Sequence, residues 1–209
     1  QVSQFRWVPR QGATKRVYNV LQPAIRFTKD ECLDLPSMTY VKREVELTSQ
    51  QRKYYKLLKD NMTFTVNGKD ITASNAAVNM NKLLQISSGA VYSDEGHSLE
   101  FDVSNRYKVL KEVINESAKK VLVFVPFKHT IQIVSEKLQD DGISTNVISG
   151  NVAASKRSEI FKKFQTEPDP RVLVIQPQSA AHGVTLTAAN TVVWWAPIMS
   201  LETYAQANA

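Results

Sequence analysis

The chain has 209 residues, 43% of them hydrophobic, with 26 Lys+Arg against 20 Asp+Glu. That length is enough to bury a core, since a 150-residue domain already hides roughly 70% of the surface its unfolded chain exposes, and it excludes a disordered tail or a disulfide-stapled mini-protein. The single cysteine, Cys32, excludes an intramolecular disulfide and a multi-thiolate metal site.

No apolar run approaches the ~20 residues that span a bilayer, and the opening ten residues do not read as a signal peptide, so a soluble chain with no membrane partner is expected. Residues 1–60 hold 12 basic against 6 acidic side chains, residues 61–120 hold 7 against 7, and residues 121–209 hold 7 against 7. The whole net charge of +6 therefore lies in the first 60 positions. An excess of this size invites a polyanion without proving one.

Residues 1–38, rich in Pro, Arg and Lys, read as an irregular basic leader. Within it Arg6, Trp7, Arg10, Lys15, Arg16 and Arg26 mix basic and aromatic groups; they suit either a phosphate backbone or a solvated linker. Residues 39–47 alternate like a strand with one solvated face. Thr48-Ser-Gln-Gln51 is a capping box that opens a helix bearing Tyr54, Tyr55, Leu57 and Leu58. A small hairpin is expected near 64–72, because Asn67-Gly68 accepts the positive φ of a type I′ turn. Two further helices, near 74–87 and 104–119, complete a mainly helical lead-in over 39–120.

From residue 121 the pattern changes. Val121-Leu-Val-Phe-Val125 is continuously apolar, and after Pro126-Phe127-Lys128 the apolar positions Ile131, Val134 and Leu138 take helical spacing up to Gly142. Strand-like runs recur at 144–148, 171–175 and 191–195. A helix with Ile160, Phe161 and Phe164 follows the first of these, and a short segment, 178–187, follows the second. Buried runs alternating with amphipathic helices imply a parallel α/β sheet with helices on both faces. The loops at 126–128, 149–150, 176–183 and 196–197 should then meet at one carboxyl edge, where open α/β sheets place their ligands.

Other motifs fail. Gly68-Lys69 lacks the upstream glycine of a phosphate-binding loop and is followed by Asp70. His97, His129 and His182 have no second ligand at i+3 or i+4, so no metal site is expected, and no G-x-S-x-G elbow occurs. The residues alone supply no catalytic set. Trp194-Trp195 reads as core on a central strand, with base stacking as the alternative.

The run from Val172 to Asn190, with its small-residue loop, Gly183 and Leu186-Thr-Ala-Ala189, resembles motif V of superfamily 2 helicases of the Swi/Snf-like branch. Residues 121–130 are similar to motif IV. Val147-Ile-Ser-Gly150 followed by Lys156-Arg157 and Ile160-Phe161-x-x-Phe164 is similar to the next block. Upstream, residues 32–36, Glu46-Leu-Thr-x-x-Gln51-x-x-x-Tyr55 and Leu83-Leu-Gln-Ile-Ser-Ser-Gly89 resemble the segment leading into the second motor lobe. Together the blocks cover most of residues 23–209.

The resemblance implies a RecA-like second lobe over 121–209, ending at the start of motif VI, from a larger helicase or translocase of bacterial or phage origin. ATP and Mg²⁺ would be bound mainly by a first lobe that these residues do not include. Expected partners are DNA and that first lobe, in the cytoplasm or on the nucleoid. By the same resemblance, Ser179, His182, Gly183, Val184 and Thr185 form the ATP-sensing motif V loop. Thr185 stands where many relatives carry Asp or Asn, which puts ribose contact there in doubt. Phe127, Lys128, Ser149, Gly150, Arg157 and Thr187 would face nucleic acid, and Gln206 matches the glutamine ahead of the motif VI arginines. With neither phosphate-binding loop nor those arginines, the fragment alone should be inactive. Two alternatives stay open: a non-catalytic binding domain derived from the same fold, and an unrelated α/β enzyme binding a small ligand at the sheet edge.

Overall fold

A computed structural model describes residues 8–25, 38–180 and 186–208. The chain divides into two units, 1–42 and 43–209. The first contains helix α1 (Ala13–Leu21), where the composition suggested irregular backbone. Val17, Val20 and Leu21 recur at helical spacing between Gly12 and Pro23, and that local periodicity outweighs the basic character of the segment.

In the second unit, α2 (Ser49–Asn61) starts at the expected capping box: Thr48 accepts from the Gln51 amide, and the Gln51 side chain accepts from the Thr48 amide. Hairpin β1 (Thr63–Val66) and β2 (Lys69–Thr72) follows, with Asn67 at φ 52° and Gly68 at φ 70°, as a type I′ turn requires. Helix α3 (Ala76–Ser88) ends at Gly89 and leads into a second hairpin, β3 (Ala90–Tyr92) and β4 (Ser98–Glu100), which the sequence pattern does not announce. Leu58, Phe64, Ile71, Ile86, Val91 and Phe101 form the core of this part.

Residues 39–47, read from the sequence as a strand, form none. Alternation alone does not make a strand, which needs a hydrogen-bonded neighbour. Side chains of the segment grip helices instead: Arg43 pairs with Glu116 at 2.6 Å, and Glu46 with Arg52 at 2.8 Å.

Helix α4 (Ser104–Glu116) leads into the main sheet, whose strands are β5 (Lys120–Phe124), β6 (Thr145–Ile148), β7 (Val172–Ile175) and β8 (Ala189–Trp194). Their order is β6-β7-β5-β8 and every pairing is parallel. Helices α5 (Lys128–Asp140) and α6 (Ala154–Thr166) are the crossovers, while α7 (Pro177–Ala180) and α8 (Leu201–Ala207) are short.

Side-chain alternation divides the strands between two cores. Val121, Val123, Val172, Val174 and Trp195 meet Ile131, Val134 and Leu138 of α5 and Leu110 and Ile114 of α4. Leu122, Phe124, Leu173, Ile175 and Ile148 meet Phe164 of α6 on the other face. This is the expected α/β layering, with helices on both faces of a parallel sheet, and full burial of Phe164 alone is worth roughly 2–3 kcal/mol. Among the described residues no helix is long and apolar enough to cross a membrane.

Candidate functional site

Because all four strands run the same way, their following loops leave one edge together. Backbone bonds extend the ladder one step beyond the strands: the Val125 amide donates to Ile175 O at 2.9 Å, the Gln176 amide to Ile148 O at 2.8 Å, and the Trp195 amide to Phe124 O at 3.0 Å. The starts of the loops are thus held side by side before any side chain is considered.

The loop after β5 ends at Phe127, the half-buried N-cap of α5, which contributes no side-chain cap bond. Lys128 follows, exposed, and its Nζ reaches Asn151 Oδ1 at 3.4 Å. Lys128, Ser149 and Asn151 line one cleft of about 410 Å³, with Gln132 and Ser135 of α5 on its wall. Tyr92 of β3 and His129 also line it, their rings edge to face at 5.2 Å. Hairpin β3–β4 therefore supplies part of the wall.

Gly150 has an ordinary backbone, and a Cβ there would meet Gln176 Oε1 only at 3.7 Å, so glycine is not sterically compelled. Its amide is already engaged, donating to Gln176 Oε1 at 3.1 Å. Arg157 fastens the same loop through Nε to Val152 O at 2.8 Å, with a longer contact to Gly150 O at 3.5 Å. Within this structure Gly150 and Arg157 shape the loop, and Lys128 and Ser149 present polar groups to the cleft.

Thr187 lies elsewhere. It precedes β8, at the amino edge of the sheet, where its hydroxyl accepts from Gln165 Nε2 at 3.3 Å while Gln165 Oε1 accepts the Ala188 amide at 2.8 Å. In the motif V segment, Ser179 sits on α7 with its amide donating to Gln176 O at 2.8 Å. His182, Gly183, Val184 and Thr185 lie outside the described residues. Gln206 is exposed on α8 and donates to Glu202 Oε1 at 3.2 Å.

What seats α8 is Trp194, which stacks on Phe124 at 4.7 Å and packs against Tyr204 at 4.9 Å while its Nε1 donates to Asn208 Oδ1 at 3.2 Å. Sequence reasoning missed Gln176, Asn151 and Arg106. Gln176 carried a signal, as a polar residue directly after an all-apolar strand. Arg106 carried none, because on a helical pattern it resembles any surface cation.

The family model for the helicase conserved C-terminal domain matches residues 105–209. The chain belongs to that family. A helicase C-terminal domain accounts for the parallel sheet and for the convergence of loops at its carboxyl edge. The chain is 25% identical over 179 residues to an uncharacterized ATP-dependent helicase of Mycoplasma genitalium, covering 82% of this chain and 17% of that protein. It is 32% identical over 92 residues to the human DNA annealing helicase and endonuclease ZRANB3, covering 42% of this chain and 8% of the relative. A phage protein, p41 of Acyrthosiphon pisum secondary endosymbiont phage 1, is 27% identical over 164 residues, 78% of this chain and 33% of its own length.

Each of these relatives is thus much longer than the part this chain spans. Among solved structures, the Sulfolobus solfataricus SWI2/SNF2 ATPase core domain superposes with a TM-score of 0.62 at 18% identity, covering 95% of this chain and 43% of that one. The C-terminal domain of that ATPase superposes at 0.55 with 21% identity, covering 72% and 68%. The expectation of a helicase C-terminal domain made from the motif blocks holds, and the domain has the RecA-like fold of these SWI2/SNF2 structures.

Proposed function

We propose that this domain is the second motor lobe of an ATP-dependent DNA translocase or helicase, coupling ATP binding and hydrolysis by the whole protein to movement on DNA. The observation that carries the reading is the gathering of Lys128 and Ser149 with Asn151 in one cleft at the carboxyl edge, beside loops held in register by the sheet itself. Hydroxyls, lysines and amides are the usual donors to nucleic-acid phosphates, and they position a strand without reading its sequence. The relatives named as ATP-dependent helicases support the nucleotide side of the reading.

Phosphoryl transfer needs P-loop amides, a lysine, Mg²⁺ and an arginine finger. The sequence contains no G-x-x-x-x-G-K-[ST] run, and among the described residues no group of three or more His, Cys, Asp or Glu gathers to hold a metal. ATP and Mg²⁺ are therefore assigned chiefly to the first lobe. This domain contributes the motif V loop, including His182, Gly183, Val184 and Thr185, and the helix carrying Gln206. Thr187, at the amino edge, is the least supported of the nucleic-acid contacts.

The decisive experiment is ATP turnover by the full-length protein with and without single- and double-stranded DNA. Stimulation by DNA is expected, and a Lys128→Ala, Ser149→Ala double variant should need more DNA for half-maximal stimulation. Turnover indifferent to DNA would remove the motor reading. The 209-residue chain by itself is expected to hydrolyse no ATP.

A further inference from the structure

Adjacent tryptophans at the end of β8 face opposite sides of the sheet and grip different elements. Trp194 seats α8 through Phe124, Tyr204 and Asn208. Trp195 is only 4% exposed and uses each of its polar groups. Its amide donates to Phe124 O at 3.0 Å, its Nε1 donates to Ser88 O at 2.8 Å, and its carbonyl accepts from Arg106 Nη1 at 2.6 Å. The Arg106 guanidinium also lies over the Trp195 ring, 5.5 Å from its centre.

Arg106 belongs to the first turn of α4, which runs into β5 from the carboxyl edge, so it stands at that edge, beside the end of β8. Among the described residues it pairs with no carboxylate, and burial draws its pKa below the usual guanidinium range. A half-buried cation without an anion is a poor choice for stability alone, since an apolar side chain of similar length would fill the space without desolvating charge. What arginine adds is a planar group that lies on the indole and reaches the carbonyl at the same time.

We infer that Arg106 is a positioning residue: by holding the Trp195 carbonyl it fixes the end of β8 and so the placement of α8, the helix that carries Gln206. The brace joins the lead-in helices to the segment from which α8 springs, and removing it frees the stretch Ala196–Ser200 and the helix beyond. Its effect on turnover rests on the motor reading above; its effect on α8 does not.

The test uses the full-length protein with Arg106→Met, which keeps an unbranched apolar stem without the guanidinium, and Arg106→Lys, which keeps a donor without the plane. Amide hydrogen exchange across residues 201–207 should accelerate at least about tenfold in the methionine variant while β5 and β7 stay protected. In the same variant the DNA-stimulated turnover number should fall roughly tenfold to a hundredfold, as expected when a reacting group is displaced, with KM for ATP within about twofold. The lysine variant should recover part of both.

Unchanged exchange in α8, or acceleration spread evenly over the sheet, would overturn the brace; wild-type turnover in the methionine variant would overturn its effect on turnover. Should the wild-type protein show no DNA-stimulated turnover, the motor reading fails, and the exchange measurement still decides whether Arg106 positions α8.

Discussion

Gly89 shows how a residue identified by pattern acquires a physical reason. It closes the Leu83–Gly89 block, adopts φ 126°, and donates its amide to Gln85 O and Ile86 O, while its own carbonyl accepts from Phe101 at 2.8 Å. A Cβ at this position would lie 2.5 Å from Val103 Cγ1, a side chain that is itself 1% exposed. Neither the backbone nor the neighbour can give way cheaply. Gly89→Ala should therefore cost about 2–4 kcal/mol, from the left-handed backbone and the clash together, seen as a lowered urea midpoint. A loss under about 0.5 kcal/mol, the range of an ordinary surface substitution, would contradict this account.

Gln51 follows the same logic. Its Nε2 donates to Ile86 O at 2.8 Å and to Ser87 O at 3.2 Å, so a residue identified as a helix cap also ties α2 to the end of α3. The capping role was visible in four consecutive letters. The tie was not, because its partners are backbone carbonyls 35 and 36 residues away, which carry no side-chain signature.

At the scale of elements, legibility tracked burial. β5 and β7 were read nearly to the residue because Val121–Phe124 and Val172–Ile175 are apolar, buried and followed by a loop signal, whereas β6 and β8 include the polar residues Asn146, Asn190 and Thr191, and β8 begins two residues before the expected run. Hairpin β3–β4 escaped because its strands have three residues each, too few to establish a period, and its loop holds Ser93-Asp-Glu-Gly-His97 rather than a two-residue turn. The strand expected over 39–47 failed for the complementary reason: alternation was present and a pairing edge was not.

That second hairpin is secured by Asp94, whose Oδ1 accepts from Lys82 Nζ of α3 at 2.8 Å and from the Thr72 amide at the end of β2 at 3.0 Å. The lysine hydrogen bond, reinforced by the backbone one, lowers the Asp94 pKa from 3.8 to about 2. A carboxylate with a depressed folded-state pKa stabilises fully above its unfolded value and loses that contribution as pH falls through the folded one. The tie is therefore intact at neutral pH and lost between about pH 4 and pH 2. Asp94 is partly solvated, so screening limits the effect to about 1 kcal/mol. Asp94→Asn should lower the urea midpoint at pH 7, and the gap to the wild type should close as the pH approaches 2. A gap independent of pH would mean that the carboxylate charge is not what secures the hairpin.

Across the whole molecule, net charge and candidate site separate. The excess of +6 lies in residues 1–60, whereas the edge loops belong to residues 121–209, with 7 basic and 7 acidic side chains. The edge instead offers Lys128, the Ser149 hydroxyl and the Asn151 amide, polar groups that add little net charge. Composition was thus a poor guide to the family, and the order of motif blocks a good one. The charge of the basic leader calls for a role of its own, and salt dependence can test one.

Arg10, Lys15 and Arg16 lie in and just before α1, a helix with no acid in its first turn. If they follow a nucleic-acid backbone, each phosphate they neutralise releases condensed counterions on binding duplex DNA. The slope of log affinity against log salt then falls by about 0.9 for each phosphate left without its cation. The triple change Arg10→Gln, Lys15→Gln, Arg16→Gln in the full-length protein is expected to flatten that slope by up to roughly three such increments. Affinity should drop most at low salt, where the released ions count for most. A parallel line with an unaltered slope would show that the leader's charge faces solvent or protein, leaving DNA affinity to the edge loops.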